Sequence, residues 1–319
     1  MEKEDFLLGP AKYNQLGLNE ELNKYEPVDY NFDINNKNDS HALLAKRVTK
    51  NASILDVGCA SGIIGRLLKE NKTENIDGIE RDKISYEIAK KSNIYNEVFQ
   101  FSVTEETSIS YQKFFSNQKK YDFIIFADIL EHLEKPYEVI YNFTKKLKPE
   151  GKMLISIPNV NHIDIIKNLF NNEFNYNYVG LLDSTHLRFF TNTSFFQMIE
   201  NINKTYEIAL SVNYFGKTIF KPNYINELDY FREEHFVIIQ NLFELTLEKS
   251  KESIKYIHRP KKVNDFNNFI NEFSELKKEK VRQEKEIEML KNELNKIYTS
   301  KRYRFISKIA DFKNNIKRR

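Results

Sequence analysis

The chain has 319 residues, enough for one large domain plus a second region, with 40% hydrophobic and 30% charged residues and a mean hydropathy of −0.60. A net charge of +3 is small for this length and argues against a general nucleic-acid coat, so no nucleic-acid partner is expected. The single cysteine, Cys59, excludes an intramolecular disulfide and a thiolate zinc cluster; with no apolar run near the ~18 residues that span a bilayer, and an acidic start, a cytoplasmic protein is expected.

In chain order, residues 1–39 form a polar, Asn-rich segment that could act as a lid, and a helix is expected from about Ser40 to Val48. Residues 40–240 then alternate short apolar runs with helical stretches. Ile54–Val57 reads as a buried strand entering a glycine turn and a helix over 62–70, and Ile76–Glu80 as a second strand followed by a helix over 83–92. A weaker third strand covers 97–103. Phe123-Ile124-Ile125-Phe126 has the continuous apolarity of a central parallel strand buried on both faces. Pro136 suits the first turn of a helix running towards Leu147; a turn at Pro149-Glu150-Gly151 leads into a fifth strand over 153–157, with later strands over 206–212 and 235–240. This alternation predicts an α/β fold with a doubly wound, parallel sheet.

The glycine turn carries the first chemical signal. Gly58-Cys59-Ala60-Ser61-Gly62 closes the first strand, where glycine lets the backbone approach a ligand, and Glu80 ends the neighbouring strand in position to accept hydrogen bonds from ribose hydroxyls. A dinucleotide fingerprint would need glycines at 58, 60 and 63, but Ala60 and Ile63 break it. Asp56 would repel a pyrophosphate; it suits a cofactor carrying an ammonium and a sulfonium. A tight turn without a ligand is the plain alternative.

The stretch from Ile54 to Gly62 resembles the first motif of class I S-adenosylmethionine-dependent methyltransferases, LDxGCGxG. Ile76-Asp77-Gly78-Ile79-Glu80-Arg81-Asp82 resembles the second, the run from Tyr121 to Leu133 the fourth, and Leu147-Lys148-Pro149-Glu150-Gly151-Lys152 the turn before the fifth strand. The resemblance implies a seven-stranded Rossmann-like sheet of order 3-2-1-4-5-7-6, its seventh strand antiparallel. It also implies S-adenosyl-L-methionine held by Asp56, Gly58, Ala60, Gly62, Glu80, Arg81, Ser102, Val103 and Ala127. Ser102 stands where the family often has an acid near adenine, and Ala60 replaces the middle glycine. Cys59 reads as a small buried filler.

Methyl transfer is an in-line displacement in which the protein aligns the reactants, and a hydroxyl acceptor must also lose a proton. Asp128, Glu131 and His132 follow the fourth strand, and His132 is the candidate base, with Asp128 beside it. These residues could also hold a divalent metal, a reading not favoured here, and none is assigned as a ligand; equally, Glu131 could cap or solvate a helix and His132 pack structurally. Asp183, His186 and Arg188 crowd a segment, Asp183-Ser184-Thr185-His186-Leu187-Arg188-Phe189-Phe190-Thr191, within an expected acceptor-covering insertion over 159–200. It resembles the D-x-T-H-x-R-x-F-T stretch of an O-methyltransferase subfamily found in surface-polysaccharide gene sets, and Pro158-Asn159-Val160-Asn161-His162 resembles that subfamily's exit from strand five. His186 joins the catalytic candidates, and Asp183, His186, Arg188 and His162 the substrate candidates; an Asp183–Arg188 pair holding the lid, with Thr191 as a helix cap, is the structural alternative. The implied acceptor is a sugar or lipid-linked glycan precursor, with a small phenol or carboxylate, or a non-catalytic scaffold, as rivals.

Residues 241–264 read as a linker. From Phe266, apolar residues fall on a heptad repeat, a at 266, 273, 280, 287 and 294 and d at 269, 276, 283, 290 and 297, so a coiled coil over 265–298 and a homo-oligomer are expected. The tail over 299–319 carries eight Lys/Arg against one acid, Asp311, on an amphipathic pattern that suits peripheral contact with the inner face of the cytoplasmic membrane. Its Thr299-Ser300-Lys301-Arg302-Tyr303-Arg304-Phe305 resembles a tail segment of bacterial surface-polysaccharide glycosyltransferases.

Overall fold

A computed structural model describes residues 33–220, 236–259 and 266–299. The chain divides into two compact units, residues 1–260 and 261–319. The first contains α1 (Ser40–Arg47), β1 (Ile54–Val57), α2 (Ile63–Glu70), β2 (Ile76–Glu80), α3 (Lys83–Lys91), β3 (Glu97–Gln100), α4 (Ile109–Ser116), β4 (Tyr121–Ala127), α5 (Pro136–Thr144) and β5 (Leu147–Pro158). It continues through α6 (Ile163–Phe170), α7 (Asn192–Thr205), β6 (Leu210–Ile219), β7 (Ile238–Leu247) and β8 (Tyr256–Ile257). The second contains α8 (Phe266–Thr299).

The sheet runs β3-β2-β1-β4-β5-β7-β6-β8. Strands β1 to β5 are parallel and β7 is antiparallel to β5 and β6. The expected order therefore holds, extended by a two-residue edge strand, β8, parallel to β6. Successive strand residues point to opposite faces, and the two faces bury separate cores. Leu55, Val57, Ile124, Phe126 and Ile155 pack on one side with α4, α5 and α7 through Phe114, Phe143 and Phe195. Ile54, Ile76, Phe123, Ile125 and Leu154 pack on the other with Leu44 of α1 and Leu67 and Leu68 of α2.

Helix starts follow local capping chemistry: Asp39, Asp82, Ser108 and Thr191 each accept a backbone N–H of the first turn, and Thr191 with Ser194 closes a capping box. Several boundaries differ from the sequence reading. α7 runs to Thr205, so β6 begins at Leu210 rather than Tyr206. β5 starts at Leu147 and carries the Pro149–Gly151 turn as an irregularity in its pairing with β4. The expected linker over 241–264 is corrected: Asn241 to Leu247 complete β7, whose Leu242, Phe243 and Leu245 are fully buried between β5 and β6. Charged residues flanking this run masked it as surface. Among the described residues no helix is long and apolar enough to cross a membrane.

Candidate functional site

The carboxyl ends of β1, β2 and β4 meet at one edge of the sheet. Leaving β1, Gly58 (φ +71°), Ala60 (+43°) and Gly62 (+98°) all adopt left-handed backbone, and Gly62 caps α2. The amides of Gly58 and Cys59 donate to the Ile79 carbonyl at 2.8 and 3.0 Å, tying the turn to β2. Glu80 is buried and completes the tie: its Oε2 accepts from the Ala60 amide at 2.9 Å and its Oε1 from the Asp82 amide at 2.7 Å. Its carboxylate is thereby oriented at the end of β2, with lone pairs left for further donors. Cys59 is buried against Gly78, and burial together with the Asp56 and Glu80 charges pushes its thiol up, as befits a packing residue.

Asp56 lies fully buried beneath this turn and accepts a hydrogen bond from Tyr95 Oη at 2.7 Å. Burial, followed by the neighbouring Glu80 charge and against the Tyr95 hydroxyl, raises its pKa from 3.8 to about 7. A buried carboxyl that resists ionising without a positive partner is the complement of an ammonium-bearing ligand. Tyr95 was invisible in the sequence, since it follows α3 by four residues and reaches Asp56 only through the fold. Arg81 is exposed beside Asp82, while Ser102 shares a 2.9 Å hydrogen bond with Thr104 and Val103 packs on the core at the exit of β3.

Past Ala127, β4 turns sharply at Asp128 (φ +53°). Asp128 Oδ1 accepts from Ser156 Oγ and Oδ2 from Gln240 Nε2, both at 2.8 Å, which joins the exits of β4, β5 and β7. Both of its oxygens are thus engaged in holding the loop. The loop places Ile129 against Gly58, with Cδ1 2.1 Å from where a Cβ at 58 would stand. Ile129, three residues before His132, thus contacts the glycine turn.

Glu131 and His132 form a polar cluster with the 183–186 segment. His132 Nδ1 lies 3.2 Å from the Thr185 carbonyl and 3.1 Å from Thr185 Oγ1, and Thr185 Oγ1 donates to Asp183 Oδ1 at 2.7 Å. A carbonyl can only accept, so Nδ1 donates in this contact, which in the neutral ring leaves the lone pair on Nε2. The same logic applies to His186, whose Nδ1 lies 3.2 Å from the Leu181 carbonyl. The two imidazoles meet edge to face with centroids 4.8 Å apart. Glu131 is fully buried beside them, and among the described residues neither carboxyl oxygen has a hydrogen-bond partner. Burial first, then the Asp128 and Asp183 charges, raises its pKa well above the usual carboxylate range. The reading of Glu131 as a helix cap or solvated side chain is thus corrected. Glu131, His132 and His186 offer ligand atoms within 4.8 Å of one another, a donor set suited to a divalent ion.

Two substrate candidates stand elsewhere. His162 is fully buried as the cap of α6: its Nδ1 accepts from the Asp164 amide at 3.3 Å and its Nε2 lies 2.9 Å from the Phe220 carbonyl. Arg188 is exposed and clamps the Glu134 carbonyl through Nε and Nη2, at 3.0 and 2.6 Å, rather than Asp183. This clamp and the amides of Leu187 and Arg188, which donate to the Glu131 carbonyl, fasten the 183–190 segment over the cluster.

Comparison with known proteins places this geometry. The family described as a methyltransferase domain matches residues 32–207. The chain is 27% identical over 154 residues to the ubiquinone biosynthesis O-methyltransferase of Rickettsia bellii, covering 47% of this chain and 60% of that protein. It is 30% identical over 105 residues to the malonyl-acyl-carrier-protein O-methyltransferase of Halalkalibacterium halodurans, covering 33% and 38%. The match thus spans about three fifths of the length of the Rickettsia relative. Among solved structures, the magnesium protoporphyrin IX methyltransferase of Synechocystis, with bound SAH, is similar at 12% identity and a TM-score of 0.45, covering 74% of this chain and 96% of that one.

Proposed function

The chain belongs to the methyltransferase domain family, and on that premise we propose that it is an S-adenosylmethionine-dependent O-methyltransferase acting on a sugar or lipid-linked glycan precursor. The observation that carries the reading is the adjacency, through the Ile129–Gly58 contact, of the Asp56–Glu80 cradle to the Glu131–His132–His186 cluster. Asp56 supplies the anion for the cofactor's ammonium, and Glu80 takes the ribose hydroxyls. Gly58, Ala60, Gly62, Arg81, Ser102, Val103 and Ala127 line the rest. The cofactor supplies a methyl group already activated on a sulfonium, so the chain's task is to align the acceptor, exclude water and take a proton. His132 does the last: its Nε2 lone pair accepts the hydroxyl proton, and the Asp183–Thr185 chain at Nδ1 holds the ring and its tautomer.

The glycan acceptor rests on the 183–190 segment, which resembles that of surface-polysaccharide enzymes and covers the cluster. The assay is methyl uptake from labelled S-adenosylmethionine by nucleotide sugars and glycan lipids, against quinone precursors and malonyl thioesters. Transfer confined to a phenol or a carboxyl group would overturn the glycan assignment and leave the enzyme class. A second reading is favoured by the Glu131 carboxyl, which has no hydrogen-bond partner among the described residues: Glu131, His132 and His186 would hold a divalent ion, which would supply Lewis-acid polarisation of the acceptor oxygen. Chelation followed by add-back of magnesium, manganese or zinc separates the two: activity indifferent to chelator leaves His132 as base. Self-association through 266–297 and membrane contact through 299–319 complete the proposal. Residues 300–319 lie outside the described ones, so the membrane contact rests on their charge.

A further inference from the structure

The second unit carries an apolar stripe on a single helix. α8 has 34 residues, and a helix of that length is about 50 Å long. Ile287, Leu290, Leu294 and Ile297 occupy consecutive a and d positions, each more than half exposed, at 52, 58, 51 and 55%. Most helical stability in water comes from packing an amphipathic face. The charges that flank this stripe say what covers it. The g positions Glu279, Glu286 and Glu293 are all acidic, whereas the e positions are Glu284, Lys291 and Tyr298. In an antiparallel pair g faces g, and every such contact would set glutamate against glutamate. In a parallel pair g faces the following e of the partner, so Glu286 meets Lys291, Glu293 meets Tyr298, and one repulsive contact, Glu279 with Glu284, remains. The polar a and d residues Lys280 and Gln283 favour two strands, since a larger bundle would desolvate them further.

We propose that α8 is a parallel, in-register, two-stranded coiled coil with a second copy of this chain. The stripe is covered by its own symmetry mate, and both copies of the basic tail emerge at one end of the coil, which doubles the charge offered to a single surface. The full-length chain tests this directly. Light scattering at micromolar concentration gives twice the 38.0 kDa chain mass, and the double variant Ile287→Glu, Leu294→Glu gives the single-chain mass with S-adenosylmethionine binding unchanged. Ile287→Cys and Ile297→Cys, made separately, each oxidise to a covalent homodimer; native Cys59 is buried and does not compete. A wild-type chain of single mass overturns the proposal, as does a double variant that stays dimeric. A dimer in which either cysteine fails to link to itself contradicts the parallel register.

Discussion

Asp56 sets the pH behaviour of the site. Its pKa is raised from 3.8 in the free side chain to about 7 in the fold, so the ligand-free protein holds a proton there that the unfolded chain releases. The resulting stabilisation is complete below pH 3.8 and is lost as pH rises through about 7. An ammonium partner reverses the preference, because it favours the carboxylate. Cofactor binding is expected to release a proton below pH 7 and to weaken about tenfold per unit of falling pH there, measured by calorimetry in buffers of different ionisation enthalpy. A pH-independent affinity between pH 5 and 7, with no proton release, contradicts this role for Asp56. At Glu80, alanine removes both the proposed ribose acceptor and the ties to the Ala60 and Asp82 amides. The expected loss in cofactor affinity is roughly 10- to 100-fold. His132→Ala is expected to lower kcat by about 10²- to 10⁴-fold at nearly unchanged cofactor affinity; full turnover in that variant removes His132 as the base. Glu131→Gln keeps the shape of the side chain and removes its capacity for charge: it spares turnover if His132 works alone and abolishes it if a metal ion is required.

At the scale of elements, the strand–turn–helix unit from β1 to α2 was legible because the signal was local: a short apolar run, then residues that tolerate positive φ. Thr191 was legible for the same reason. Its capping box predicts that Thr191→Ala costs about 1 kcal/mol of stability in thermal or denaturant unfolding, with a loosened 183–190 segment; an unchanged midpoint would show the cap to be idle. What the sequence hid was long-range. Asp128 and His162 are each held by a partner far along the chain, Gln240 in one case and the Phe220 carbonyl in the other, and no local pattern announces either contact. Thr185 was quoted only as part of a resemblance, although its hydroxyl and carbonyl orient His132. The end of β7 was lost because Glu244 disguises a buried strand; the fold neutralises that charge with Arg47 and Lys152, neither of them near it in sequence.

Across the whole molecule, a unit of the methyltransferase domain family and a helical unit occupy separate stretches of one chain. The net charge of +3 conceals the concentration of eight basic residues in the last 21 positions. Vesicles containing anionic lipid are expected to sediment the full-length chain at low salt and release it at high salt, whereas neutral vesicles leave it in solution; equal binding to both would remove the electrostatic contact. The catalytic account depends on the sulfonium nucleoside filling the edge formed by β1, β2 and β4. Titration of the purified full-length chain with S-adenosylmethionine measures this most directly. The account predicts saturable binding of one equivalent per chain, strongly weakened by Glu80→Ala and spared by His132→Ala. Absence of binding by the folded wild-type chain, or binding that Glu80→Ala leaves untouched, would contradict it.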